Sequence, residues 1–143
     1  MLMDNTISRT LSGATLAYLG DAVLEVLVRR YLVGLGIADG GALSHLALNF
    51  VRATAQSAGM DKLLPHLTEE EEYIFKRGRN AHGISIPKSA SAAEYRRATG
   101  MEALFGYLDL SGESARAEEL FRIAYADVME RLENKNQTEG EQQ

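Results

Sequence analysis

A long apolar segment without proline, residues 16–33, constrains the fold of this chain more than any other feature. Its sequence is LAYLGDAVLEVLVRRYLV, and apolar residues cover most of the circumference of the helix that it would form. A helix that is apolar nearly all round is largely buried. Gly34 and Gly36 predict its end. The segment therefore predicts a central helix against which the rest of the chain packs.

Asp21 lies within this apolar segment and directly follows Gly20. Burying a carboxylate is costly unless it is paired, protonated or bound to a metal ion. Glycine inside a helix costs about 1 kcal/mol relative to alanine. Two unfavourable residues side by side indicate a functional purpose. An alternative stays open, because Asp21, Glu25 and Arg29 share a four-residue spacing and would also form one narrow solvated strip.

A second apolar segment, residues 101–110 (MEALFGYLDL), has the same peculiarity. Glu102 is its only charge before Asp109, and Gly106 permits a close approach of another helix. If the two helices pack together, Asp21 and Glu102 can meet. Oxygen ligands completed by water are what Mg²⁺ prefers. The alternative is that each acid pairs with a neighbour or faces solvent.

Basic residues concentrate in residues 76–97, although the whole chain carries a net charge of −5. Residues 79–90 (RNAHGISIPKSA) have no helical period and predict an exposed loop. One interpretation is an ordinary surface loop, and the other is a loop that contacts phosphates. The candidate phosphate-binding residues of this region are Lys76, Arg77, Arg79, Asn80, Ser85, Lys88, Arg96 and Arg97.

No strand pattern occurs along the chain, so we predict an all-α fold. A length of 143 residues is typical of one domain. We expect five to seven helices within residues 1–132, and Thr68 with Glu71 predicts a capping box at the start of one of them. The polar tail, residues 133–143, is predicted to be disordered. The expected helices are residues 16–33, 42–59, 68–78, 92–110 and 114–132.

Other classes of protein are excluded by composition. The chain has no cysteine, which rules out disulfides, thiol catalysis and cysteine zinc sites and fits a reducing cytoplasm. His45, His66 and His82 lack the spacing of metal ligands. No long apolar run without charges predicts a membrane span, and the N-terminus has no signal-peptide pattern. We therefore expect a cytoplasmic protein with no membrane partner.

Several segments together resemble the ribonuclease III family of double-stranded RNA endonucleases. Residues 19–23 (LGDAV) resemble the family signature, and residues 102–108 (EALFGYL) resemble its second acidic motif. Residues 68–81 (TEEEEYIFKRGRNA) and 95–104 (YRRATGMEAL) are similar to the Mini-III branch, which has the catalytic domain alone. The resemblance covers residues 15–132.

This resemblance implies an all-α endonuclease domain that works as a homodimer in the bacterial cytoplasm. It implies hydrolysis of phosphodiesters in double-stranded RNA that depends on Mg²⁺, with Mn²⁺ as a substitute. By motif position, Asp21 and Glu102 are the metal-binding catalytic acids. Mini-III enzymes trim stems that flank large-subunit (23S) ribosomal RNA precursors, so such a stem is the expected partner. The sequence identifies neither the stem nor a ribosomal protein helper.

Two positions depart from the longer members of the family. Those proteins carry further acids where this chain has Ala17 and Thr99. We therefore expect one well-held Mg²⁺ rather than two. A catalytically inactive RNA-binding scaffold and a module that binds a protein partner stay open as alternatives. Both are disfavoured because a non-catalytic protein would gain stability by replacing Asp21 and Glu102.

Overall fold

The computed structural model describes residues 5–88 and 91–141. This part of the chain folds into α-helices joined by loops, and it contains no strand. The predicted all-α class is confirmed. None of these helices is long and apolar enough to cross a membrane. A single 3₁₀ turn, Leu64–His66, lies between the fourth and fifth helices. The helices are α1 Asn5–Thr10, α2 Gly13–Gly34, α3 Gly40–Val51, α4 Ala53–Leu63, α5 Glu69–Arg79, α6 Ala92–Leu110, α7 Ser114–Ala124 and α8 Ala126–Glu141.

The described residues contain eight α-helices, one more than the largest number predicted. The segment expected as one helix over 42–59 is divided at Arg52, whose backbone is extended. The segment over 114–132 is divided at Tyr125, whose hydroxyl donates to the buried carbonyl of Phe50 at 2.8 Å. Neither break contains glycine or proline, so apolar periodicity alone does not reveal it.

Helices α2 and α6 cross at the centre of the fold, where two glycines remove the side chains that would separate them. A Cβ on Gly20 would lie 1.5 Å from the carbonyl oxygen of Glu102. A Cβ on Gly106 would lie 2.1 Å from the carbonyl oxygen of Leu16. Only glycine fits at either position, so the backbones are in direct contact.

Helix α2 is less completely buried than its sequence predicted. Leu16, Leu24 and Val28 face the core and are at most 1% exposed. Tyr18 and Val26 lie on the opposite side and are 86% and 47% exposed. One apolar face of the central helix therefore lies on the surface of the monomer, because no other helix of the described chain covers it.

Helix α5 begins with the predicted capping box. Thr68 donates its backbone N–H to Glu71 at 2.9 Å, and the Glu71 N–H donates to the Thr68 hydroxyl at 3.1 Å. Gly78 does not end the helix as predicted, since α5 continues to Arg79. A Cβ on Gly78 would instead lie 2.5 Å from Cβ of Ala103, so this glycine lets α5 approach α6.

The polar tail is helical rather than disordered as far as Glu141, which corrects the prediction for residues 133–141. Helix α8 passes through the predicted domain boundary at residue 132 without a break. The Tyr31 hydroxyl donates to Glu133 at 3.0 Å, and the Asn136 amide donates to the Leu35 carbonyl at 3.1 Å. These bonds dock the tail on the end of α2, which polar composition alone does not predict. Residues 142–143 lie outside the described residues.

Candidate active site

The two acids singled out in the sequence meet at the crossing of α2 and α6. Asp21 directly follows Gly20, and the backbone carbonyl of Glu102 packs against Gly20. Both acids line one depression there, close enough for the Asp21 carboxylate to act on the Glu102 carboxyl. The pair results from the helix crossing, and Glu102 is partly buried whereas Asp21 is exposed. The other two members of the predicted solvated strip, Glu25 and Arg29, pair with each other at 3.4 Å.

The environment of Glu102 favours its protonated form. Burial raises the pKa of Glu102, and the adjacent Asp21 carboxylate raises it further, to about 8. The protonated form of Glu102 is therefore favoured at neutral pH. A divalent cation between the two oxygens would stabilise the ionised form of both acids.

The acid pair lines an open depression of about 440 Å³. Ala17 and Thr99, the two departures noted above, both lie in its wall. Neither alanine nor threonine supplies a carboxylate. The Thr99 hydroxyl donates to the backbone carbonyl of Tyr95 at 3.0 Å. The depression is formed by Ala14, Ala17, Tyr18, Leu19, Asp21, Ala22, Ile84, Tyr95, Thr99 and Glu102.

The donor set of this depression fits a hard cation that keeps most of its shell as water. Within residues 5–88 and 91–141 no group of three or more histidine, aspartate and glutamate side chains is placed to hold a metal ion. Asp21 and Glu102 supply carboxylate oxygens alone. Mg²⁺ is commonly bound through one or two carboxylates, with water and substrate phosphate completing its octahedron.

A second depression, of about 530 Å³, adjoins the first because Ala14 lines both. Three of the predicted RNA-binding residues line it, namely Lys76, Arg77 and Asn80. Lys76 is half-exposed and pairs with Glu72 at 3.0 Å. The end of α5 thus presents basic side chains directly beside the acid pair.

Residues 14–113 match the family model of the ribonuclease III domain. The chain belongs to the ribonuclease III family. A Mini-ribonuclease 3 from Symbiobacterium thermophilum is 49% identical over 122 residues, which cover 85% of this chain and 93% of that protein. A Mini-ribonuclease 3 from Enterococcus faecalis is 44% identical over 124 residues, which cover 85% and 94%.

A crystal structure of a protein from Fusobacterium nucleatum has the same fold as this ribonuclease III family chain. The TM-score is 0.75 at 30% sequence identity, over 87% of this chain and 98% of that one. The predicted resemblance to the Mini-III branch is thereby confirmed, as is the endoribonuclease class that it implied.

Three further predicted RNA-binding residues of this ribonuclease III domain lie at the end of α5 and in the loop that connects α5 to α6. Arg79 lies over the Phe75 ring at 5.5 Å and donates its Nε to the Asn80 side chain at 3.2 Å. Ser85 and Lys88 are exposed. The chain passes from the basic depression at residues 80–82 to Ile84 in the acid depression, and Ser85 and Lys88 follow Ile84.

Arg96 and Arg97 do not line the basic depression, and their guanidinium groups are hydrogen-bonded to neighbouring parts of the chain. Arg96 donates to the carbonyls of Arg79 and Ala81 at 3.5 and 3.3 Å. Arg97 donates to the Ser57 hydroxyl at 2.8 Å and to Asp61 at 3.4 Å. Both guanidinium groups therefore hold α6 against its neighbours, a role that a run of positive charge does not reveal.

No role for Arg9 was predicted from the sequence. Arg9 lies on α1 over the Tyr73 ring at 4.6 Å and pairs with Glu70 at 3.2 Å. Its backbone carbonyl accepts a hydrogen bond from Arg77. Arg9 thus adds a cation next to the basic depression, and no short-range motif around it indicates this position.

Proposed function

We propose that this protein is a Mg²⁺-dependent endoribonuclease that cleaves double-stranded RNA, with Asp21 and Glu102 as its metal-binding catalytic acids. The observation that carries the proposal is the adjacent pair of Asp21 and Glu102 at a helix crossing made close by glycines, in an open depression beside a basic one. A purely structural role does not explain this arrangement, because it places two acids together without a basic partner.

Each part of the site has a defined task in this mechanism. Asp21 and Glu102 would hold the cation, and Glu102 would release its proton as the cation binds. Bound Mg²⁺ would polarise the phosphodiester and lower the pKa of a water molecule, and Mn²⁺ would substitute for it. The two acids project from packed helices, which keeps them in the geometry that catalysis needs.

Recognition of the duplex would use shape and backbone rather than base sequence. A-form RNA presents 2′-hydroxyls in a wide, shallow minor groove. We assign contacts with the RNA backbone to Lys76, Arg77, Asn80, Arg79, Ser85 and Lys88. The resemblance to the Mini-III branch supports a stem of the 23S ribosomal RNA precursor as the substrate.

The working form would be a homodimer assembled through the exposed face of α2. Tyr18 and Val26 are exposed there, and a groove of about 510 Å³ beside Val26 is lined by apolar side chains of α2 and α7, with Arg30, Asp109, Ser114 and Glu118 also in its wall. Exposed apolar patches mark interaction surfaces. A two-fold dimer through this face would present two acid sites, one for each RNA strand.

Replacing Val26 with glutamate tests the dimer. The charge would be buried in the interface, so the variant should sediment as a monomer and lose cleavage. Leu64→Glu is the matched control, because Leu64 is also an exposed apolar residue (41%) but lies in the 3₁₀ turn, away from α2 and outside that groove. A monomeric wild-type protein that cleaves at full rate would contradict the dimer without affecting the proposed acids.

Cleavage of a duplex RNA with Mg²⁺ or with EDTA, beside Asp21→Asn and Glu102→Gln, tests the acids. Cutting should require the metal and both carboxylates, while folding and RNA binding stay nearly unchanged. Glu25→Gln is the control, since Glu25 lies one turn further along α2 and pairs with Arg29. If the protein bound duplex RNA but did not cut it, Ala17 and Thr99 would identify an inactive scaffold.

Alanine at Arg79 and at Lys88 tests the RNA contacts. Each substitution should raise KM and make binding less dependent on salt, because each phosphate contact contributes about one unit to the salt slope. Arg122→Ala is the control, because Arg122 is exposed on α7 and pairs with Glu118. An unchanged slope would remove these residues from the interface.

A further inference from the structure

The polar groups in the acid depression are few, and one of them has no role in the mechanism above. Besides Asp21 and Glu102, the hydroxyl-bearing side chains in its wall are Tyr18, Tyr95 and Thr99. Thr99 donates its hydroxyl to a backbone carbonyl within its own helix. Tyr18 is 86% exposed on the face assigned to the dimer. Tyr95 is the remaining hydroxyl-bearing side chain, and this partly buried residue lines the depression.

Helix geometry places Tyr95 on the same face as the acid. Tyr95, Thr99 and Glu102 are spaced i, i+4 and i+7, so their side chains leave α6 on one side. Seven residues correspond to about 10 Å along the helix axis. Tyr95 therefore lies in the depression but too far along the helix to reach the same phosphate that the acids would bind.

The turn of α6 that carries Tyr95 is held on both sides. Its first turn is capped by Ser91, which accepts from the backbone N–H of Glu94. The two following residues hold it to other helices. Arg96 donates a hydrogen bond to the carbonyl of Arg79 at the end of α5, and Arg97 donates one to the Ser57 hydroxyl on α4. A side chain on a helix held in this way is prepositioned for a ligand.

A phenol is well suited to bind RNA in a depression that already contains two carboxylates. It donates a hydrogen bond to a phosphate oxygen while remaining neutral at physiological pH. A further acid there would repel the phosphate backbone, and a lysine or arginine would pair with Asp21 or Glu102 and compete with the cation. Hydrogen bonds to an ionised phosphate oxygen are stronger than those between neutral groups.

We propose that Tyr95 is a substrate-binding residue that donates its hydroxyl to a backbone phosphate of the cleaved RNA strand, next to the phosphate held at Asp21 and Glu102. The proposal rests on the nuclease function proposed above. Under this proposal the protein contacts the RNA backbone inside the acid depression through a neutral side chain as well as through its basic residues elsewhere.

Steady-state cleavage by Tyr95→Phe, which removes only the hydroxyl, tests this assignment. Loss of a hydrogen bond to a charged partner should raise KM by about tenfold or more, with a much smaller change in kcat, because the contact forms before the reaction. The salt slope of binding should stay unchanged, since no cation is lost. Tyr107→Phe is the matched control, because Tyr107 is on the same helix and lies outside the depression. That control should retain the wild-type KM.

The same substitution in an Asp21→Asn background separates the two proposals. In that protein, which should bind RNA without cutting it, Tyr95→Phe should raise the Kd for duplex RNA by the same factor. A wild-type KM and Kd for Tyr95→Phe would overturn the Tyr95 assignment and leave the acids in place. Full cleavage by Asp21→Asn would overturn the proposed function itself. A reduced salt slope would show that Tyr95 acts through the basic residues, which also contradicts the assignment.

Discussion

Replacing Gly20 with alanine would test whether the crossing of α2 and α6 holds the acid pair together. The new Cβ would lie 1.5 Å from the carbonyl oxygen of Glu102, 2.4 Å from its carbonyl carbon and 2.9 Å from the backbone nitrogen of Gly106. All three are backbone atoms, so no side chain can move aside. The helices would have to separate by about 2 Å to reach the 3.4 Å of an ordinary contact.

The free energy of unfolding should fall by about 3 kcal/mol. Overpacking a core costs about 1–3 kcal/mol, and this contact lies at the severe end because both partners are backbone. Separation also loosens the packing of Leu16 and Leu104, which are fully buried. The better helix propensity of alanine returns only about 1 kcal/mol. For a chain of this length the loss corresponds to a decrease in Tm of roughly 10 °C.

Cleavage should fall further than stability alone would explain. A shift of the helices displaces Asp21 relative to Glu102, and a misplacement of about 1 Å can cost roughly a hundredfold in rate. We therefore expect a loss of about a hundredfold or more in kcat at a temperature where the variant is still folded.

Unfolding in urea, followed by helical circular dichroism, and cleavage of duplex RNA are the two assays. Gly34→Ala is the control, because Gly34 is in the same helix and a Cβ there has no atom within 4 Å. That variant should be neutral or more stable by up to about 1 kcal/mol. If Gly20→Ala had the same unfolding midpoint and cleavage rate as Gly34→Ala, the argument for a close crossing would be refuted.

Two further substitutions test the rest of the core. Burial raises the pKa of Glu71, but the hydrogen bonds from Arg116 at 2.9 Å and from the Thr68 backbone outweigh it, so the pKa is lowered below its usual 4.5. Ionised Glu71 therefore stabilises the fold above pH 4.5, and this contribution is lost as the pH falls through the lowered value. Tm measured against pH should decrease less in acid for Glu71→Gln than for the wild type, and parallel curves would disprove this. Tyr125→Phe removes the donor from the buried carbonyl of Phe50, so its free energy of unfolding in urea should fall by about 1–3 kcal/mol while cleavage stays normal. A wild-type midpoint would show that the hydroxyl contributes no stability.

Much of the fold could be predicted from local sequence. The capping box of Thr68 and Glu71 joins residues three apart, and Ser12 accepts from the Thr15 N–H at the start of α2 in the same way. The helix breaks at Arg52 and Tyr125 could not be predicted. The hydroxyl of Tyr125 donates to the carbonyl of Phe50, which is 75 residues away in the chain and lies just before the break at Arg52. Local pattern has no access to such a contact.

The candidate acids could be recognised from sequence because a charge is out of place in an apolar helix, and each of these two helices also carries a glycine. Asp21 and Glu102 each break an apolar segment in this way, and their predicted meeting is present in the structure. The basic residues were harder to assign. A run of positive charge states how many cations are present but not where their side chains point.

The sequence by itself determined that this chain is helical, that two of its helices carry an acid and a glycine, and that its motifs are those of the ribonuclease III family. Only the tertiary structure decided which side chains surround those acids. It bonded Arg96 and Arg97 to neighbouring helices, brought Arg9 next to Tyr73, and placed Tyr95 in the acid depression. The physical reason is that helix formation depends on neighbours within four residues, whereas a site is built from helices that pack together from distant parts of the chain.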